Sequence, residues 1–184
     1  AQDVHACSNI ALKRMGIRQI TLEEAKLSIG PGSDNFAKIT LGEREMSRFE
    51  EFIKIYREIY QDNCLVHSKP FPGIIELLLT LPDQNTLVAT NKPLVYSEKI
   101  LAELKIIDFF KSVLGPEDVQ HQKPYPDMIE LGIKRVNGTA ETTLMIGDTD
   151  NDILAARNAG VQSCAVAWGY GPVEILTEFK PDYM

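Results

Sequence analysis

The hydrophobic positions of the chain change their period once, near residue 70. Before that point they follow the 3.6-residue repeat of a helix. Val4, Ala6, Cys7, Ile10, Ala11 and Met15 predict a helix over 3–15, which Gly16 closes. Thr21 and Glu24 have the spacing of a capping box and open a second helix that runs to about Ile29. Gly30-Pro31-Gly32-Ser33 reads as a turn, with Asp34 as the start of another short helix. The strongest stripe is Met46, Phe49, Phe52, Ile53, Tyr56, Ile59 and Tyr60. It predicts a helix over 43–60 whose aromatic face packs rather than binds. No strand pattern precedes residue 70, so residues 1–69 are expected to form an all-helical unit.

Lys69-Pro-Phe-Pro-Gly73 then stiffens the backbone, and the domain boundary is placed there. Beyond it, strands and helices alternate. Helices are expected over 74–81, 94–104 and 126–136, the last with Pro126 in its first turn. Buried strands are expected over 86–90 and 144–146, with a short strand over 112–114 and another over 163–167. A further helix follows Gly147, with Ile153, Ala156 and Ala159 inward and Gly160 at its end. This alternation predicts an α/β fold with a parallel sheet in residues 70–184.

Composition narrows the partners. A content of 44% hydrophobic and 24% charged residues is that of an ordinary globular protein able to bury a core. The net charge of −7 argues against nucleic acid or an anionic membrane as partner. Three widely spaced cysteines, Cys7, Cys64 and Cys164, form neither a metal pattern nor a disulfide framework, which suits a reducing cytoplasm. No apolar run is long enough to span a membrane, and the N-terminus is no signal peptide.

The candidate chemistry sits where the predicted strands end. Asp148, Asp150 and Asp152 crowd three carboxylates into five residues between an apolar strand and a helix. Ligands of open α/β sheets bind beyond the carboxyl ends of the strands. A hard divalent cation relieves the mutual repulsion, and Mg²⁺ takes one or two carboxylates with water and phosphate oxygens. Asp148 is the better placed ligand. Asp152 can ligate through water or hold a nearby cation, and Asp150 can cap the helix. Thr90-Asn91-Lys92-Pro93 ends another strand with a hydroxyl and an amide that can donate to an oxyanion, or can simply cap the next helix. Lys123, flanked by Gln122 and by Pro124 and Pro126, can place a point charge on a phosphate. Trp168-Gly-Tyr-Gly171 forms a loop that either lines this site or packs elsewhere. His5, His67 and His121 show no ligand spacing. A hydroxyl, a lysine and two carboxylates after three strands suit a phosphate bound with Mg²⁺.

These motifs resemble those of the haloacid dehalogenase superfamily, in its phosphoglycolate phosphatase-like branch. The resemblance rests on Thr90-Asn91-Lys92-Pro93, on Lys123-Pro124 with Pro126-Asp127, and on Gly147-Asp148 with Asp152. Phe71-Pro-Gly73 is similar to the return linker from a helical cap, and Trp168-Gly-Tyr-Gly171 to a loop of that branch. The resemblance implies a three-layer, Rossmann-like parallel core over 70–184 and an N-terminal helical cap over 1–69. It implies a Mg²⁺-dependent phosphatase that hydrolyses a small phosphomonoester such as phosphoglycolate through an aspartyl-phosphate. Thr90 and Asn91 would bind the phosphoryl group and Lys123 would neutralise it. Asp148 would ligate the metal, and Asp152 would help hold the metal or position Lys123. The cap loop, with Gly32 and Ser33, would touch the leaving group.

One departure accompanies the resemblance. The family's nucleophile is the first Asp of an Asp-x-Asp-Gly motif on a central strand, expected before residue 1. Asp3 follows no apolar strand and is not promoted to that role. The 184 residues alone are therefore expected to turn over little substrate. A phosphate- and Mg²⁺-binding module without turnover stays open, as does a phosphosugar mutase or pyrophosphatase on the same scaffold. The partner is expected to be a small phosphorylated metabolite, and the protein a monomer or dimer in the cytoplasm.

Overall fold

The computed structural model describes all residues except Pro31 and Gly32, and the side chains of all but 31–35. The chain forms two compact units, Ala1–Pro72 and Gly73–Met184.

The first unit holds helices joined by turns, with no strand among its described residues. Helix α1 spans Gln2–Arg14 and ends at Gly16, whose φ of +71° is the left-handed conformation glycine adopts at least cost. Helix α2 spans Leu22–Leu27. Its capping box is present: Thr21 Oγ1 accepts from Glu24 N, and Glu24 Oε2 accepts from Thr21 N. Helix α3 spans Ser33–Leu41.

The long helix expected over 43–60 is divided. Glu43–Arg48 is a 3-10 segment, and α4 proper runs from Phe49 to Asn63. Arg48 marks the break. Its guanidinium donates to Glu51, three residues on, and to the carbonyl of Met15 at the end of α1, so a tertiary contact meets the chain at this point. The aromatic stripe is packing. Phe52 is fully buried, and Tyr56 lies 5.9 Å from Phe52, 4.9 Å from Phe36 and 5.1 Å from Tyr60 between ring centroids.

Asp3 is also structural. It is 3% exposed in α1, and its two oxygens accept from His67 N and Ser68 Oγ, 64 and 65 residues away. Cys7 and Cys64 are buried near it. Burial, then Asp3, then the neighbouring Cys64 thiol push the Cys7 thiol up from 9.0 to about 11.

The second unit alternates as the pattern predicts. In order come α5 (Ile74–Leu79), β1 (Leu87–Ala89), α6 (Leu94–Glu103), β2 (Ser112–Leu114), α7 (Asp127–Arg135), β3 (Leu144–Gly147), α8 (Asp150–Asn158), β4 (Gln162–Ala165) and α9 (Val173–Glu178). Pro126 sits at the N-cap of α7, one residue before its first turn. The parallel pairing is present in two separate ladders. Leu87, Val88 and Ala89 face Ser112, Val113 and Leu114, and Leu144–Gly147 face Gln162–Ala165. Tyr183 adds a single parallel bridge to Cys164.

Two strand expectations need correction. The 144–146 strand is not buried: Leu144 is 45% exposed and Ile146 53%, while Met145 packs against Ile129, Ala155, Ala156 and Val161. A strand's side chains alternate, and only one face of β3 is covered by helices among the described residues. Strand β1 is likewise half-buried along its length rather than buried. A second cluster joins Ile153 of α8, Ala165 of β4 and Leu176 of α9. Among the described residues no helix is long and apolar enough to cross a membrane.

Candidate active site

Strand β1 ends at Ala89, the first point where the candidate residues meet. Its carbonyl accepts from Lys123 Nζ at 2.7 Å. Lys123 Nζ also donates to Asp152 Oδ1 at 2.6 Å. The pair is nearly enclosed, with side-chain exposures of 10% for Lys123 and 7% for Asp152. In such surroundings an unpartnered carboxylate or ammonium is costly, so each partner fixes the other.

Four sequence elements hold the lysine loop in place. The Asn91 amide grips the Lys123 peptide from both sides, donating from Nδ2 to Lys123 O at 2.9 Å and accepting Lys123 N at Oδ1 at 3.0 Å. Asn158, at the end of α8, donates to Pro124 O at 2.9 Å. Asp127 Oδ2 accepts from His121 N at 3.1 Å and lies 3.2 Å from His121 Nδ1. The His121 ring lies 4.8 Å from that of Tyr125. His121 thus braces the loop. Asn158 carried no signal in the sequence, because nothing local distinguishes it from any residue near a helix end.

Asp152 has no oxygen to spare. While Oδ1 meets Lys123, Oδ2 accepts from Asp148 N at 3.1 Å, Thr149 N at 3.0 Å and Thr149 Oγ1 at 2.8 Å. Its carboxylate therefore closes back over the start of α8 and satisfies amides that a helix start leaves open. The N-cap is Thr149, so the expectation that Asp150 caps this helix is corrected. The approach is possible because residue 147 is glycine. A Cβ there would fall 2.3 Å from the Asp152 Cβ and Cγ, closer than real atoms come.

Asp148 differs. Its Oδ2 accepts from Tyr170 N at 2.8 Å, and among the described residues Oδ1 takes no hydrogen bond. A carboxylate at a strand's carboxyl end with one oxygen uncommitted fits one ligand of a hard cation that completes its shell with water and phosphate. No cluster of three His, Cys, Asp or Glu capable of enclosing a metal occurs among the described residues, so an all-protein cage is not what the donor set offers. Thr90 follows Ala89 directly. Its Oγ1 accepts from Lys92 N at 3.1 Å, and its own N–H is spent on Leu114 O.

The expected site residues thus separate by task. Lys123, Asp148 and Asp152 are joined through the chain Ala89 O, Lys123 Nζ, Asp152 and Asp148 N, and Thr90 adjoins it only as the residue after Ala89. Asn91, expected to meet phosphate, has its amide engaged with the Lys123 backbone. Gly32 lies outside the described residues, as does the side chain of Ser33. Thr149 and the amides of Tyr170 and Gly171 are not among the expected site residues, and backbone donors leave no mark in a sequence.

Residues 1–166 match the haloacid dehalogenase-like hydrolases. The chain belongs to that family. It is 28% identical to a phosphoglycolate phosphatase of Nitrosococcus oceani, covering 98% of this chain and 83% of that protein. It is 36% identical to an N-acetylmuramic acid 6-phosphate phosphatase of Pseudomonas putida, covering 68% of this chain but 57% of the relative's length. A pyrophosphatase of Bacillus cereus is 31% identical over 90% of this chain and 76% of its own. Among solved structures, a predicted phosphoglycolate phosphatase from Haemophilus somnus superposes with a TM-score of 0.91 at 25% identity, covering 99% of this chain and 85% of that one. A haloacid dehalogenase-like family protein from Streptococcus pneumoniae gives 0.86 at 26% identity, with coverage of 99% and 85%. Family and relatives together place the chain among phosphatase-type hydrolases with an α/β fold.

Proposed function

We propose that this protein is a Mg²⁺-dependent phosphatase acting on a small phosphomonoester, with phosphoglycolate the first candidate. The observation that supports this most directly is the Lys123 ammonium, held between Ala89 O and Asp152 Oδ1 at 2.7 and 2.6 Å beside the strand that ends in Asp148. A cation so placed neutralises a non-bridging phosphate oxygen, and the Thr90 hydroxyl can donate to another. Asp148 offers the oxygen for the metal, which when bound supplies charge neutralisation for the phosphoryl group. Asp152 anchors Lys123 and contributes to metal binding through its charge. Asn91 holds the lysine loop at the phosphate end of the site.

Hydrolysis would pass through an aspartyl-phosphate intermediate, as the resemblance of the motifs implies. No carboxylate of this site is given the role of nucleophile, and Asp3 is committed to His67 and Ser68. The net charge of −7 leaves Lys123 and the metal to attract an anionic substrate. A role in the cytoplasm accords with three free thiols.

The test is phosphate release by the full-length protein with Mg²⁺ and with EDTA, on phosphoglycolate, N-acetylmuramic acid 6-phosphate and pyrophosphate. Release is expected to be slight from the 184 residues alone, and in a form that carries the nucleophile to need Mg²⁺ and to fall by about 100-fold or more in Asp148→Asn. Release that survives that substitution would place the metal elsewhere, and preference for pyrophosphate would replace the monoester assignment.

A further inference from the structure

We propose that the Trp168–Gly171 loop is the positioning element of Asp148, and that Gly169 and Gly171 thereby set the affinity of the site for a divalent cation. The inference rests on the reading of Asp148 as a metal ligand and adds residues that reading did not include.

Three atoms of Asp148 are held, each by a different partner. Its N–H donates to Asp152 Oδ2 at 3.1 Å. Its carbonyl accepts from Gly171 N at 3.0 Å. Its carboxylate Oδ2 accepts from Tyr170 N at 2.8 Å. Two of these three bonds come from one loop, 22 and 23 residues downstream, which crosses directly over the aspartate. The crossing is so close that only glycine fits. A Cβ on Gly169 would fall 2.1 Å from Asp148 Cβ and 2.4 Å from its Oδ2. A Cβ on Gly171 would fall 2.1 Å from the Asp148 carbonyl oxygen. Neither glycine has a positive φ, so the requirement is for space and not for backbone freedom.

The consequence is chemical. A backbone amide binds Oδ2 without bringing a positive charge that would compete with a cation. With Oδ2 tied, the side chain cannot rotate freely, and Oδ1 is left in one orientation. A ligand already fixed loses less conformational entropy on capturing an ion. Groups that orient a metal ligand in this way are worth about 10–100-fold in metal affinity. Any side chain at 169 must push Asp148 or the Tyr170 amide out of place.

The test is Mn²⁺ binding to the full-length protein, read by electron paramagnetic resonance of the free ion, for wild type, Gly169→Ala, Gly171→Ala, Asp148→Asn and Gly138→Ala. Gly138 is the control, because a Cβ there meets its nearest neighbour at an ordinary 3.5 Å. Gly169→Ala and Gly171→Ala are expected to weaken Mn²⁺ about 10–100-fold while far-ultraviolet circular dichroism stays that of wild type. Gly138→Ala is expected to bind as wild type does. A folded Gly169→Ala that binds within twofold of wild type overturns the inference and leaves the metal assignment standing if Asp148→Asn loses binding. Unchanged binding in Asp148→Asn overturns the metal assignment itself. Should neither glycine variant fold, amide exchange in the wild type decides: a Tyr170 amide protected without metal supports the inference, and one exchanging as freely as an open loop sinks it.

Discussion

Lys123 and Asp152 illustrate what a residue gains from its surroundings. Either alone would be a charge in a nearly enclosed position. Together at 2.6 Å they stabilise one another, and Asp152 also closes the start of α8 through Thr149. Removing Lys123 leaves a carboxylate without its cation, so Lys123→Met is expected to cost about 3–5 kcal/mol of stability. Adding Asp152→Asn to it should recover part of that loss, with a coupling of about 1 kcal/mol or more in urea unfolding of the two single variants and the double. Strict additivity would show that the pair contributes nothing beyond its separate contacts. Lys123 and Asp148 were legible as chemistry because charged residues beside proline or at the end of an apolar strand are conspicuous. The duty of Asn91 was not, because an amide that can donate to phosphate can equally grip a peptide 32 residues away.

At the scale of elements, local rules and tertiary demands can be told apart. The start of α2 is local: Thr21 and Glu24 satisfy each other's backbone within four residues. Thr21→Ala is therefore expected to cost about 1 kcal/mol, measured by chemical denaturation, with no effect on Mn²⁺ affinity. A loss well above that would mean that Thr21 has a second role. The division of residues 43–63 is not local. The apolar stripe continues through Arg48 without interruption, but Arg48 is drawn to Glu51 and to the Met15 carbonyl, and the first turn and a half tightens to a 3-10 form. Strand β3 shows the same limit from the other side. Apolar residues at 144, 145 and 146 announce a strand, while their exposure depends on what lies over each face.

At the scale of the whole molecule, the helical unit carries a pH limit of its own. Burial raises the Cys7 thiol from 9.0 to about 11, so the folded state holds that proton more tightly than the unfolded chain. The resulting stability is complete below pH 9.0, and is lost as pH rises through about 11. Urea unfolding between those values should show a decline that Cys7→Ala flattens. An identical decline in the variant would assign it to other groups. Cys164, only half-buried, is expected to react with a thiol reagent before Cys7 or Cys64, both 1% exposed.

The sequence by itself determined the order of elements, the change of period near residue 70 and the residue types that gather at the strand ends. Those are set by neighbours a few positions apart: helical and alternating periods, a capping box, prolines that restrict their own backbone. Only the tertiary structure decided which oxygen of Asp152 meets Lys123, that the Asn91 amide holds the lysine loop, and that Gly169 and Gly171 lie against Asp148. Each of these is a contact between segments 21 to 32 residues apart, and apart from the Lys123–Asp152 pair each involves the backbone of at least one partner. Every residue except proline carries the same amide and carbonyl, so no pattern of side chains along the chain could announce where they would be used.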